Sequence, residues 1–234
     1  MIAIYKRELS SYFNSMIGYV FIAALVCFTG IYFMAYNLYS GFLDFSYALM
    51  SLMNILMFTV PILTMRSMAE DRRGRTDQLL LTAPVPLWAV VLGKYLAMVT
   101  VLFVPVFLAA FCPLIIAANG EAHLVSDYAS LLAFFLMGCV FLAIGMFISS
   151  LTESQIIAAV GTFAVLLILF LWEDLIGFLP SALSGVLSAF SFRTVFYNFA
   201  QYHVFDVGGL ILYLSLTALF VFLTIQTLLR RRWN

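Results

Sequence analysis

"RSMAEDRRGRTDQLLLTAPVP", residues 66–86, is the stretch on which the reading of this chain turns. Seven of the twelve residues from Arg66 to Asp77 are charged, in a chain that is 65% hydrophobic and 9% charged. Apolar runs of about twenty residues lie on both sides. That is the length a helix needs to cross a hydrocarbon layer of roughly 30 Å at about 1.5 Å per residue. A charged knot between two such runs reads as a loop at a membrane surface.

The same apolar signal recurs along all 234 residues, and the mean hydropathy is +1.11. Continuous apolar runs predict helices, because a barrel would alternate in short segments. The expected fold is all-α and polytopic, one transmembrane domain over 1–234 with no room for a sizeable soluble domain. Spans are expected near 16–38, 45–65, 88–118, 128–150, 155–173 and 207–229, the third bent near Pro105 or Pro113. Cys27, Cys112 and Cys139 all sit in apolar runs, where a thiol is a small hydrophobe, and no disulfide is expected. Lys6 and Arg7 imitate the start of a secretory signal. The apolar run after Met16 is too long for one, and it ends in "MAYNLYSGF" without a small-residue cleavage site.

Two segments fit no simple span. Residues 1–15 place Ile2, Tyr5, Leu9, Tyr12 and Phe13 on one helical face, which suits a helix lying in the membrane interface; a solvated leader is the alternative. Residues 174–206 are apolar but broken by Gly177, Pro180 and several serines. A short amphipathic or re-entrant outer helix after Pro180 is expected there. The basic residues set the topology. With the N-terminus inside, Lys6, Arg7, Arg66, Arg72, Arg73, Arg75, Lys94, Arg230, Arg231 and Arg232 are cytoplasmic and only Arg193 is outside. That asymmetry predicts cytoplasmic termini.

Chemistry is sparse. By these boundaries the middle of each span carries no ionisable residue, which argues against an intramembrane enzyme or an ion-coupled carrier. No zinc helix motif occurs. Glu121, His123 and Asp127 read as a solvated outer loop rather than a metal site, and His203 is also outside. No phosphate loop is present: Gly93-Lys94 is followed by Tyr95. The chain is expected to lack its own ATPase site and cofactor, and any energy source must lie on another chain.

The charged loop therefore needs its own account. "TMRSMAEDRR" continues span two into the cytoplasm until Gly74 breaks it. Thr76 can cap a second short helix carrying Leu79, Leu80 and Leu81, which Ala83-Pro84-Val85-Pro86 ends. Mixed charges make a poor lipid anchor and suit a protein partner. Ordinary positive-inside retention would explain the arginines, but not the acids or the leucines.

Residues 65–97, "MRSMAEDRRGRTDQLLLTAPVPLWAVVLGKYLA", resemble the cytoplasmic signature of ABC-2-type transporter permeases, nearest the gliding-motility-associated export branch. The opening "YKRELSSYFNSMIGYVF" and the closing "FDVGGLILYLSLTALFVFLTIQTLLRRRW" are similar to that branch too. The family's Gly-Thr pair is split here by Arg75, and its Glu before the leucines is Gln78, with Asp77 beside it.

The resemblance implies an N-terminal interfacial helix, six spans, a coupling helix between spans two and three, and short outer helices before span six. It implies an inner-membrane permease paired with a second permease, identical or similar, and driven by two ATPase subunits that bind ATP and Mg. No nucleic-acid partner is expected. Export of lipid-linked, amphipathic or peptide-like cargo is implied as well. On that basis Glu70, Asp71, Arg72, Arg73, Arg75, Thr76, Asp77 and Gln78 are the polar coupling residues, and Leu79, Leu80 and Leu81 fill the ATPase cleft. Glu153 is a minor second contact or the partner of a nearby basic group. Aromatic residues of spans one, two and five line the exit path or simply pack and face lipid. A non-transporting scaffold that recruits a cytoplasmic protein through 66–86 is the alternative function.

Overall fold

The structure is a computed structural model that describes residues 1–74, 86–119, 123–172, 174, 191–202 and 205–233. Its described elements are all helical, as expected from uninterrupted apolar runs. A surface helix α1 (Ile2–Asn14) ends at the extended residue Ser15. There follow α2 (Met16–Tyr32), a π-helical turn over Phe33–Tyr39, α3 (Ser46–Arg73), α4 (Leu87–Ala109), α5 (Cys112–Asn119), α6 (Leu124–Leu151), α7 (Gln155–Phe170), α8 (Phe192–Ala200) and α9 (Val207–Trp233).

Five stretches are long and apolar enough to cross a membrane: Met16–Tyr39, Ser46–Arg73, Leu87–Ala118, Leu124–Leu151 and Val207–Arg230. Gln155–Phe170 is apolar but shorter. The six expected spans correspond to these six stretches. Within the third, α4 ends at Ala109 because Pro113 has no amide and its ring would clash with the Ala109 carbonyl four residues earlier. Pro113 then falls in the first turn of α5, where proline is tolerated. The expected helix after Pro180 lies outside the described residues. A short amphipathic helix does precede α9: Ser191 caps α8 through the Thr194 amide, and Phe192, Val195, Phe196 and Phe199 are buried.

Helix α6 is the central rod, with 72% of its apolar window buried against 22% for α9. It packs along α3, α9, α7, α4 and α8. Between apolar helices in lipid no hydrophobic force drives association, so close approach and interhelical hydrogen bonds must hold them. Both are present. A Cβ on Gly145 would stand 2.7 Å from Thr64 Cβ of α3, and one on Gly138 would stand 2.7 Å from Leu102 Cδ2 of α4. These two glycines, seven residues apart, share one face of α6 and let both neighbours touch its backbone. The Tyr95 hydroxyl donates to the Cys139 carbonyl at 3.0 Å, joining α4 to α6 again.

At the end opposite the charged loop, Asp127 corrects the expectation of a solvated loop. It lies in the first turn of α6, fully buried, and its Oδ1 accepts from the Phe45 amide at 2.9 Å. The first amides of α3 have no partner within their own helix, so a carboxylate there satisfies one and meets the positive end of the helix dipole. The fourth span therefore starts at Leu124 rather than at 128. Ser130 Oγ links Ser46 Oγ at 3.1 Å to the Phe199 carbonyl at 3.1 Å, so α3, α6 and α8 meet in one polar node. Arg193 stacks its guanidinium over the Phe170 and Tyr197 rings, 5.2 Å from each centroid.

Gly145→Ala forces α3 and α6 apart and is expected to cost about 1–3 kcal/mol. Gly30→Ala, where an added Cβ meets nothing within 4 Å, is the neutral control. Thermal unfolding of the detergent-solubilised variants measures the difference.

Candidate functional site

Helices α3 and α4 flank residues 75–85, so whatever holds their ends fixes the two points between which that segment runs. The end of α3 runs past Pro61 and carries Arg66, Glu70, Asp71, Arg72 and Arg73 before Gly74 closes it. Their spacing turns Asp71 toward α4 and Arg72 toward the end of α6, while Arg66 and Glu70, four residues apart, pair along α3 itself.

Toward α1 and α4, the centre is Lys94. It lies about two turns into α4 with its side chain only 3% exposed. Its Nζ stands 2.6 Å from Asp71 Oδ2 and 3.3 Å from Glu8 Oε1, and it donates to the Ser67 carbonyl at 2.8 Å. One ammonium thus binds α4 to the end of α3 and to α1. A buried cation demands such partners, because transfer out of water without them costs several kcal/mol. Gly93 beside it admits α1: a Cβ there would meet Ile4 Cγ2 at 3.2 Å. The Tyr5 hydroxyl reaches Thr100 Oγ1 at 2.9 Å, nearly two turns further along α4.

Around Lys94 lies an open cleft of about 400 Å³ bordered by Arg7, Glu8, Tyr12, Arg66, Glu70, Asp71 and Gly74. Its charges are matched within the chain. Arg7 pairs with Glu8 at 2.7 Å, and Arg66 grips Glu70 with two nitrogens, Nη2 to Oε1 at 2.8 Å and Nε to Oε2. The hydrogen bond from Arg7 to Glu8 raises the Arg7 pKa further above neutrality. Burial, with the Glu8 charge adding to it, pushes the Tyr12 phenol up, so this wall of the cleft stays neutral.

Toward α6, Ser149 acts as a clamp. Its Oγ accepts from the Met68 and Ala69 amides at 3.2 and 3.1 Å and donates to the Met65 carbonyl at 3.2 Å. One turn on, Arg72 reaches the Ser150 carbonyl at 3.4 Å and Glu153 at 3.0 Å. The last turns of α3 are therefore held directly by α4 and by the end of α6, and α1 joins them through the Glu8–Lys94 pair.

Of the residues expected to couple to a partner, Glu70, Asp71 and Arg72 have partners inside the chain, and Arg73 is exposed at the end of α3. Arg75, Thr76, Asp77, Gln78, Leu79, Leu80 and Leu81 lie outside the described residues. Glu153 has the basic partner expected as an alternative to ATPase contact, and its side chain is 73% exposed. Sequence reasoning passed over Lys94, Glu8 and Ser149. The signal for Lys94 was there: one lysine among apolar residues, preceded by a glycine, marks a buried cation that must find carboxylates. No group of three metal-binding side chains occurs among the described residues.

These features define a helical multi-pass membrane protein whose charged end is braced from within. The chain matches the profile of the ABC-2 family transporter protein over residues 2–205, and it belongs to that family. It is thus a permease subunit of an ABC transporter, the membrane-spanning part rather than the ATPase, and it works with an ABC ATPase subunit. No curated protein sequence matches the chain.

Lys94→Met leaves the half-buried carboxylates of Asp71 and Glu8 beside each other without their cation and is expected to cost about 2–4 kcal/mol. Adding Asp71→Asn and Glu8→Gln should recover most of that loss. Glu153→Ala, which removes a mostly exposed partner, should cost under about 1 kcal/mol. Denaturant midpoints of the three proteins give the ranking.

Proposed function

We propose that the chain is an export permease of the gliding-motility-associated branch, resident in the cytoplasmic membrane with both termini in the cytoplasm. Two copies, or one copy and a similar permease, pair with two ATPase subunits that bind ATP and Mg. Residues 66–86 form the element that docks into the ATPase. Leu79, Leu80 and Leu81 fill its cleft, and Arg73, Arg75, Thr76, Asp77 and Gln78 set the register. Glu70, Asp71 and Arg72 act behind them, fixing the end of α3 to the body of the permease.

The observation that carries this reading is the bracing of the docking element's two roots. The Asp71–Lys94 ion pair, at 2.6 Å, joins the end of α3 to α4 directly. A force applied to residues 75–85 then reaches both helices together, and Ser149 passes it to α6. Closure of the ATPase dimer on ATP tilts these helices and opens a path between the two permeases. The positive-inside asymmetry, ten basic residues against Arg193 alone, supports the orientation.

Leu80→Asp places a charge where an apolar contact is needed. In proteoliposomes with the ATPase that copurifies with the wild-type chain, it should abolish that association and lower permease-dependent ATP hydrolysis at least tenfold. Unchanged association and hydrolysis would overturn the docking role. Association without any permease-dependent hydrolysis or transport in the wild type would favour the scaffold reading.

A further inference from the structure

The basic end of the molecule carries two clefts of similar size, and they differ in charge. The cleft around Lys94 is neutralised by its own carboxylates. The second, about 390 Å³, lies between α6 and α9 and is lined by Phe147, Leu151, Leu223, Gln226, Thr227 and Arg230. None of these lining residues is acidic. The chain has no Asp or Glu after Asp206, whereas Arg230, Arg231 and Arg232 follow in sequence. This corner of the protein therefore has a positive charge that its neighbouring sequence does not cancel.

The cleft is graded along its length. Leu223, Gln226, Thr227 and Arg230 follow the spacing of one helical face, so the strip passes from apolar to cationic over about 10 Å. Phe147, whose ring lies 6.0 Å from that of Phe220, and Leu151, 51% exposed, supply the apolar wall from α6. Thr227 spends its hydroxyl proton on the Leu223 carbonyl at 2.9 Å. The donors left for an anion are the exposed Gln226 amide and the Arg230 guanidinium, with its fork of N–H groups suited to phosphate.

An apolar slot that ends on an arginine with no ion pair among the described residues, where a membrane-crossing helix ends, has the polarity of a phospholipid. We propose that this cleft is a binding site for an anionic phospholipid. One acyl chain lies against Phe147, Leu151 and Leu223, and the phosphate rests on Arg230 and Gln226. The site is independent of the docking element and does not rest on the export reading.

Native mass spectrometry of the full-length protein titrated with phosphatidylglycerol or phosphatidylethanolamine of identical acyl chains tests it. The wild type should retain the anionic lipid at least about fivefold more strongly, a difference corresponding to roughly 1 kcal/mol per arginine near an anionic surface. Arg230→Gln should bring the two lipids to parity, while Arg231→Gln with Arg232→Gln should keep most of the preference. Leu151→Trp, which fills the slot, should weaken both lipids alike. Equal retention by the wild type would overturn the proposal. So would a preference that survives Arg230→Gln, or one that follows Arg231 and Arg232 instead. Displacement of the lipid by millimolar inorganic phosphate would show a plain anion site and overturn the acyl-chain contact.

Discussion

Lys94 is the cation around which the basic end of the permease closes. An ammonium buried in an apolar helix has no stable arrangement except one with carboxylates and carbonyl groups at contact distance. Asp71 and Glu8 supply the carboxylates, and the Ser67 carbonyl supplies a third ligand. Because these groups come from α3 and α1, satisfying one charge fixes the relative positions of three helices. Arg66–Glu70 and Arg72–Glu153 then complete the charge pairing on the remaining faces of α3. The result is a segment, 75–85, whose two roots are part of one rigid base.

The rest of the bundle is held by different physics. In the apolar middle the helices approach on small residues, with Thr64 against Gly145 and Leu102 against Gly138, and bridge by single hydrogen bonds such as Tyr95 to the Cys139 carbonyl. At the far end a buried carboxylate, Asp127, caps α3, and Ser130 ties it to α8. Helix α3 is thus fixed at both ends by charged or polar groups and seated on α6 between them. A helix held this way transmits displacement along its axis, which is what a permease moved from outside the membrane requires.

Much of this was legible in the sequence because hydrophobic periodicity and length speak directly to spans. The end of α3 at Gly74, the start of α4 before Trp88 and the break beside Pro113 follow from local chemistry. The roles of the charged residues did not, because pairing is tertiary. Asp71 and Arg72 look like surface charges when read along the chain, yet helical spacing turns one toward α4 and the other toward the end of α6, while Glu70 pairs with Arg66 one turn back. Asp127 looked solvated because a carboxylate next to His123 and an outer turn usually is; only the arrival of Phe45 beside it makes it a cap. Leu79, Leu80 and Leu81 were conspicuous for a separate reason: an apolar triplet beside a charge cluster has no role in a solvated loop.

The central proposal is that an ATPase subunit grips the segment that joins the braced ends of α3 and α4. A photoactivatable phenylalanine analogue at position 80, irradiated in membranes containing the assembled complex, tests it most directly. The account predicts a covalent adduct whose mass is the sum of one permease and one ATPase subunit, formed with or without nucleotide. Irradiation that labels only lipid or the permease itself, with the ATPase present and bound, would contradict it.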